Sequence, residues 1–105
     1  MLLAVLTVLA LAGCGIAPEE DVAAALEGTT WLCKQTRAHF VVAFKEGNVC
    51  TYTFVESGNT YDDYYVIEAD KKKIVTETLV FDYVYDRETQ TITEIKAEDF
   101  IFRKM

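Results

Sequence analysis

The sequence predicts an all-β domain, a barrel or a sandwich of six to eight short strands, with a short N-terminal helix. From residue 29 onward apolar and polar residues alternate, which is the two-residue period of a β-strand. Turn-forming residues interrupt this alternation about every ten residues. The segments between them are rich in β-branched and aromatic residues, which favour strands. Short strands with regular turns are typical of barrels and sandwiches.

The helix is predicted for residues 22–27. Asp21 precedes it as an N-cap, and Val22 and Leu26 lie on one face at a spacing of four residues. Gly28 follows at the position where a glycine commonly ends a helix. Because two turns of helix are not stable alone in water, we expect this helix to dock against the strands.

The strands follow in order, and each is ended by a turn. Strands are predicted at residues 30–34, 39–45, 49–56, 64–68, 74–85 (one strand or two), 91–95 and 99–103. Gly47 and Gly58 lie in two of the turns, where glycine supplies the positive φ that a tight reversal needs. Charged and polar runs at residues 69–73 and 86–90 form two others.

Charge and length restrict the class of function. The 105 residues contain 17 acidic and 10 basic side chains, for a net charge of −7. A net negative protein is poorly suited to binding nucleic acid, whose phosphates attract basic surfaces. The length is that of one small domain. We therefore expect a single domain whose partner is a small molecule or a protein rather than nucleic acid.

The N-terminus carries the most specific motif. Residues 2–12 are apolar except for Thr7, and this run is too short for a transmembrane helix of about 20 residues but suited to the apolar region of a signal peptide. The run ends in Leu11-Ala12-Gly13-Cys14, which resembles the lipobox of bacterial lipoproteins, where the signal peptidase cuts before the cysteine and lipid is attached to its sulfur. No Lys or Arg precedes the run, which departs from the usual signal peptide. The alternative is an uncleaved membrane anchor.

The lipobox resemblance implies a division into three parts. Residues 1–13 would be a lipoprotein signal peptide, residues 14–21 a lipidated tether and residues 22–105 the barrel domain. Cys14 would carry the lipid, such as palmitate. The protein would then be anchored to a membrane of the bacterial cell envelope and face the periplasm or the cell surface.

A second resemblance covers residues 28–104. Its motifs are Gly28-Thr29-Thr30-Trp31, Phe40-x-Val42-x-Phe44-x-x-Gly47-x-Val49-x-Thr51-Tyr52, Tyr65-x-Ile67-x-x-Asp70-x-x-x-Ile74, Phe81-x-Tyr83-x-Tyr85-Asp86, Thr91-Ile92-Thr93 and Phe100-x-Phe102-Arg103. In this order they resemble the small lipocalin-like domains of many bacterial lipoproteins, although that family usually has one Thr between the Gly and the Trp. The resemblance implies an antiparallel meander that closes into a small barrel, with Trp31 packed at one end and Arg103 as a structural position. It implies no catalytic residues.

The cysteine, serine and histidine residues give little indication of a disulfide, a catalytic site or a metal site. With Cys14 acylated, Cys33 and Cys50 remain as a pair that could form a disulfide in an exported protein. If the strand around Phe40 lies between them, they are too far apart to bridge, so both states remain open. The chain has one serine and one histidine, Ser57 and His39, which are best explained as turn and strand-end residues rather than a catalytic pair. No cysteine spacing indicates a metal site, and we expect neither an enzyme nor a cofactor.

Tyrosines are the one unusual enrichment. A binding surface is predicted at Tyr61, Asp62, Asp63, Tyr64, Tyr65, Tyr83 and Tyr85, because tyrosine combines an apolar ring with a hydroxyl. The alternative is that these tyrosines form ordinary barrel wall.

The segment Ser57-Gly58-Asn59-Thr60-Tyr61 suggests another function. It resembles the Ser-Gly-x-x-Tyr loop of the membrane-bound inhibitors of C-type lysozyme, which are also small acidic lipoproteins. This resemblance implies a protein inhibitor, with Asp62 and Asp63 steering the approach to a basic enzyme. The main hypothesis is a lipid-anchored binding or interaction module with an unidentified ligand.

Overall fold

The computed structural model describes residues 16–105, which form helix α1 (Glu19–Leu26) and nine strands. The strands are β1 (Thr30–Gln35), β2 (Ala38–Lys45), β3 (Val49–Phe54), β4 (Thr60–Glu68), β5 (Lys73–Thr76), β6 (Val80–Asp86), β7 (Thr91–Ala97), β8 (Phe100–Ile101) and β9 (Arg103–Lys104). A single 3-10 turn, Glu46–Asn48, joins β2 to β3.

The strands form an antiparallel meander that is nearly closed into a barrel, so the predicted fold class is confirmed. From β1 to β8 each strand pairs with the next, and β9 returns to pair with β1. The last two strands are halves of one segment, interrupted at the buried Phe102. The first half pairs with β7 and the second with β1. There are nine strands rather than six to eight because the final predicted strand is divided in this way and residues 74–85 form two strands.

A glutamine side chain completes the wall where β8 and β1 lack backbone pairing. The backbone N–H of Ile101 donates to Gln35 Oε1 at 2.7 Å, and Gln35 Nε2 donates to the Asp99 carbonyl at 3.3 Å. One amide group thus replaces part of a strand ladder.

The core follows the predicted alternation. Phe40, Val42 and Phe44 are each at most 5% exposed and lie on the inner face of β2, as predicted. Across the ladder they meet inward residues of β3, with Phe44 opposite Cys50. The largest fully buried side chains include Trp31, Tyr52, Tyr65 and Phe81. The side chains of the inner face therefore fill most of the barrel.

The predicted N-cap at Asp21 is wrong. The helix begins at Glu19, within the predicted tether, and Pro18 is the N-cap residue without a side-chain cap hydrogen bond. The Pro18 carbonyl accepts from the backbone N–H groups of Asp21 and Val22, so Asp21 already lies in the first turn. Its carboxylate there favourably meets the positive end of the helix dipole. The helix ends at Leu26, one residue earlier than predicted, with Glu27 as its C-cap and Gly28 following at φ 84°.

Helix α1 divides the barrel into two unlike ends. It contacts β4 and β7, which β5 and β6 separate in the sheet, so it lies across one end of the barrel. Val22 and Leu26 are completely buried there. Trp31 is 1% exposed at the same end, and its Nε1–H donates to Thr29 Oγ1 at 2.9 Å. We call this the closed end and the opposite one, with the β1–β2, β3–β4, β5–β6 and β7–β8 turns, the open end.

Candidate functional site

The open end contains an apolar cavity of about 150 Å³, which we call the aromatic mouth. Its lining residues are Phe40, Tyr52, Phe54, Tyr61, Thr78, Leu79 and Phe100. Phe54 and Tyr61 are 39% and 40% exposed, whereas Phe40 and Tyr52 below them are buried. The mouth is thus a passage from solvent to the top of the core, and none of its lining side chains is charged.

Strand register explains why aromatic residues gather there. Phe40 stands opposite Phe54, and Tyr52 stands opposite Tyr61, so inward positions of three neighbouring strands meet near the open end. Phe100 joins them from β8, with its ring edge-on to Phe40 at a centroid distance of 5.7 Å. Side chains of alternate residues share one face of a sheet, and here that face leads out of the barrel.

The rings form a stacked wall. Tyr61 is stacked with Tyr52 at 5.3 Å and with Phe54 at 6.0 Å between centroids. Phe54 also contacts Phe40 at 5.8 Å. Stacked and edge-on aromatic pairs each contribute about 0.5–1.5 kcal/mol beyond area burial, so the half-exposed rings are held in place.

A hydrogen-bond chain fixes the floor of the mouth. The Thr76 hydroxyl donates to the Leu79 carbonyl at 2.7 Å and accepts from the Leu79 N–H at 2.8 Å. The Tyr52 hydroxyl lies 2.9 Å from the same Thr76 oxygen, and it must be the donor because the Thr76 proton is already used. Burial is the main cause that raises the pKa of Tyr52 well above its usual value, so this hydroxyl stays neutral.

A buried carboxylate holds the rim. Asp63 is 6% exposed, and its Oδ2 accepts from the N–H and the hydroxyl of Thr78 at 3.1 and 2.8 Å. Its Oδ1 accepts from the Tyr64 N–H at 2.8 Å. Burial alone would raise the pKa of Asp63, but these hydrogen bonds outweigh burial and lower it. The turn that carries Thr78 and Leu79 is therefore tied to β4 by an ionised side chain.

The aromatic mouth is suited to binding one apolar group. A cavity of about 150 Å³ lined by apolar side chains is large enough for a single benzene-sized ring. The Tyr61 hydroxyl makes no hydrogen bond with any of residues 16–105, so it offers a polar contact at the rim.

The structure divides the predicted tyrosine surface. Tyr61 lines the mouth, and Asp62 and Tyr64 lie on the outside of β4, where Tyr64 is 70% exposed. Asp63 and Tyr65 point inward and are buried. Burial is the main cause that raises the pKa of Tyr65 to about 12.

The other two predicted tyrosines lie on β6. Tyr83 is 6% exposed and Tyr85 is partly buried. Both line a different cavity near the closed end. The seven residues therefore do not form one surface, because successive residues of a strand point to opposite faces.

The binding surface predicted from the sequence omitted most residues of the aromatic mouth. Phe40, Phe54, Leu79 and Phe100 were not among the predicted binding residues, although they line it with Tyr61. The available signal was positional, because each of the three phenylalanines lies within two residues of a strand end at the open end.

Cys33 and Cys50 are buried free thiols. Of the two states that the sequence leaves open, the structure therefore has the unbridged one. Strand β2 lies between them, and Cys33 is opposite Phe40 while Cys50 is opposite Phe44, four residues further along. Burial, and next the charge of Asp63, raises the pKa of Cys50 to about 12, so this thiol is protonated.

The only serine and the only histidine have separate partners. His39 Nδ1 lies 2.8 Å from Glu56 Oε2, and this hydrogen bond lowers the pKa of Glu56. The Ser57 hydroxyl accepts from the Asn59 N–H at 3.1 Å. Within the described part of the chain, no three His, Cys, Asp or Glu side chains gather as metal ligands would.

The predicted signal peptide and the lipidation site at Cys14 lie outside the described residues. Among residues 16–105 no helix has both the length and the apolar character needed to cross a membrane. No protein-family model, curated protein or solved structure matches the chain.

Proposed function

We propose that this protein is a lipid-anchored binding module of the bacterial cell envelope, with a lipocalin-like barrel that takes a small apolar group in the aromatic mouth. The observation that carries the proposal is the half-exposed aromatic wall of Phe54 and Tyr61 around an uncharged cavity. Small-molecule sites are concave and mainly apolar, with a few polar groups that orient the ligand. In the mouth, stacking supplies contact and the Tyr61 hydroxyl supplies orientation.

The proposed lipid anchor would lie at the end of the barrel opposite to the aromatic mouth. Ala17 is buried near the closed end, and it is the third residue after Cys14. Three extended residues reach at most about 11 Å. A lipid on Cys14 would hold the closed end near the membrane and leave the open end facing away from it, where ligands arrive.

Indole is the probe for the mouth, because it is one flat apolar group with a single N–H donor. The full chain in uncharged detergent is titrated with indole and followed by amide NMR. We expect the largest shifts at Phe54, Tyr61 and Leu79. Tyr61→Ala should weaken binding about ten-fold, which is near the 0.5–1.5 kcal/mol of an aromatic contact.

The matched control is Tyr64→Ala, three residues along the same strand but on the outer face. It removes the same side chain and should leave indole affinity unchanged. Equal weakening by both variants, or shifts confined to other regions, would refute binding in the mouth.

The anchor has a test of its own. Cells grown with an alkyne fatty acid should label the wild-type chain and should not label Cys14→Ser. If the wild type, expressed from its correct start codon, remains unlabelled, the lipoprotein part of the proposal fails while the mouth is unaffected.

Inhibition of C-type lysozyme is the second candidate. It is favoured by the exposed loop at Ser57, Gly58 and Asn59, which lies at the open end beside the mouth. The full chain should then slow lysis of a cell-wall suspension by C-type lysozyme at micromolar concentration, and Ser57→Ala with Tyr61→Ala should abolish the effect. Unchanged lysis at tens of micromolar would mean an affinity weaker than about −7 kcal/mol and would exclude this function.

A further inference from the structure

A second cavity lies near the closed end and differs chemically from the aromatic mouth. It measures about 180 Å³ and is lined by Ala17, Lys72, Tyr83, Val84, Tyr85 and Arg87. Lys72 comes from the β4–β5 turn and Arg87 from the β6–β7 turn. Two separate turns thus bring two positive charges to one cavity, in a chain of net charge −7.

Neither cation forms an ion pair within the part of the chain that the structure describes. Among residues 16–105, the ion pairs are formed by His39, Lys71 and Lys73 with acidic partners. The side chains of Lys72 and Arg87 form no ion pair or hydrogen bond with these residues, although acidic residues outnumber basic ones by 17 to 10. Lys71, next to Lys72, is paired with Glu68.

Tyr83 adds an independent observation. Its side chain is only 6% exposed, yet its hydroxyl has no hydrogen-bond partner among the described residues. Every fully enclosed side-chain nitrogen or oxygen there has a partner. The Tyr83 hydroxyl is therefore accessible to a ligand in the cavity that it lines. Burial, and next the charge of Asp70, raises the pKa of Tyr83, so the hydroxyl keeps its proton and can donate.

The combination of donors defines the ligand chemistry. A guanidinium, an ammonium and a hydroxyl offer hydrogen-bond donors in one cavity, and none of the residues that line it is acidic, which suits a phosphate group. Val84, Tyr85 and Ala17 offer apolar surface beside it. The position of Ala17, three residues after Cys14, places this cavity beside the membrane surface if the proposed lipid anchor holds.

We propose that this cavity binds the phosphodiester of a phospholipid headgroup, an inference that rests on the anchor in the proposed function. A headgroup without net charge, such as phosphatidylethanolamine, fits best, because the net charge of −7 repels a membrane of anionic lipid. The headgroup would fix how the barrel stands on the membrane.

Two soluble probes distinguish a lipid headgroup from free phosphate. The full chain in uncharged detergent is titrated with glycerophosphoethanolamine and, separately, with inorganic phosphate at constant ionic strength. Amide NMR of Lys72, Tyr83 and Arg87 reports binding. We expect glycerophosphoethanolamine to shift all three signals with millimolar affinity.

Charge-matched variants separate a site from general attraction. Lys72→Gln with Arg87→Gln should weaken glycerophosphoethanolamine binding at least about ten-fold. Lys34→Gln with Arg37→Gln removes the same charge from exposed positions near the open end and should change it less than two-fold. Tyr83→Phe removes only the hydroxyl and should weaken it several-fold.

Each remaining outcome would contradict one part of the proposal. Equal weakening by both double variants, or no shift with either probe at tens of millimolar, refutes the site. Shifts with inorganic phosphate alone would mean that the cavity binds free phosphate and not a lipid headgroup. If Cys14 proves unlabelled by fatty acid while the diester still binds, the anchor fails and the phosphodiester site stands.

Discussion

The two ends of the barrel use the same kind of residue and differ in what covers it. At the closed end Phe44 is 1% exposed and packs edge-on to Tyr65 and Phe81, with centroids 5.4 and 5.7 Å away. At the open end Phe54 is 39% exposed and is stacked with Tyr61. Helix α1 lies across the first end, and within residues 16–105 no helix covers the second.

Because of this difference, aromatic residues at the closed end mainly stabilise the fold, whereas those at the open end leave surface that a ligand can cover. An aromatic side chain that is fully removed from water contributes its whole transfer free energy to folding, about 1.5–3 kcal/mol. A half-exposed ring contributes only part of that, and a ligand can cover the remainder. Most of the aromatic stabilisation therefore lies at the closed end, and free apolar surface lies at the open end.

The largest expected effect is at Trp31. Trp31→Ala empties a site in which the ring is 1% exposed and Lys104 Nζ lies 5.5 Å from its centroid. We expect a loss of about 3–5 kcal/mol in the free energy of unfolding, measured by denaturant titration. Trp31→Phe is the control and should cost less. An unchanged denaturation midpoint would place Trp31 at the surface and contradict the role of the closed end in stability.

The next effect concerns the rim of the mouth. Asp63→Ala leaves the Thr78 and Tyr64 donors without their acceptor, so the variant should lose about 1–3 kcal/mol near pH 7. The folded pKa of Asp63 is lowered, so its contribution is complete above its unfolded pKa of about 4 and is lost as the pH falls through the folded value.

Chemical denaturation at a series of pH values checks this dependence. The difference between wild type and Asp63→Ala should shrink as the pH falls below about 4. Asp62→Ala, next along the strand but exposed, is the control and should show a smaller difference. A difference that stays constant down to the acid transition would contradict the role given to the Asp63 charge.

The smallest expected effect is that of a reductant. Cys33 and Cys50 are free and lie on strands separated by β2, so reduction should leave the melting temperature unchanged. A drop in melting temperature with dithiothreitol would show a bridge and require a different register around β2. Mass spectrometry of the alkylated chain gives the thiol count independently.

Much of the barrel could be predicted from the two-residue alternation of apolar residues and from the turn residues. The alternation at Phe40, Val42 and Phe44 identified the inner face, and Gly58 marked a real reversal at φ 75°. Alternation reports only which face a residue is on. It could not show that β8 and β9 divide at Phe102, because that depends on two different neighbouring strands.

The site was less predictable for a related reason. Tyr61 and Tyr65 share the inner face of β4, but one lies at the open end and the other is buried beside Phe44. Distance from the barrel end decides between exposure and burial, and composition does not encode it. The cavity at Lys72 and Arg87 likewise joins two turns that are 15 residues apart in sequence, a proximity that the pairing of β5 with β6 creates, with the Tyr83 N–H donating to the Lys72 carbonyl at 3.4 Å.

The most direct measurement compares Phe44→Ala with Phe54→Ala in denaturant titrations. The two residues lie on inner faces of neighbouring strands, one at each end of the barrel. Phe44→Ala should cost about 3–5 kcal/mol of unfolding free energy, and Phe54→Ala at least about 2 kcal/mol less, because part of its ring already faces water. Equal costs at the two positions would contradict the separation of a stabilising closed end from a binding open end.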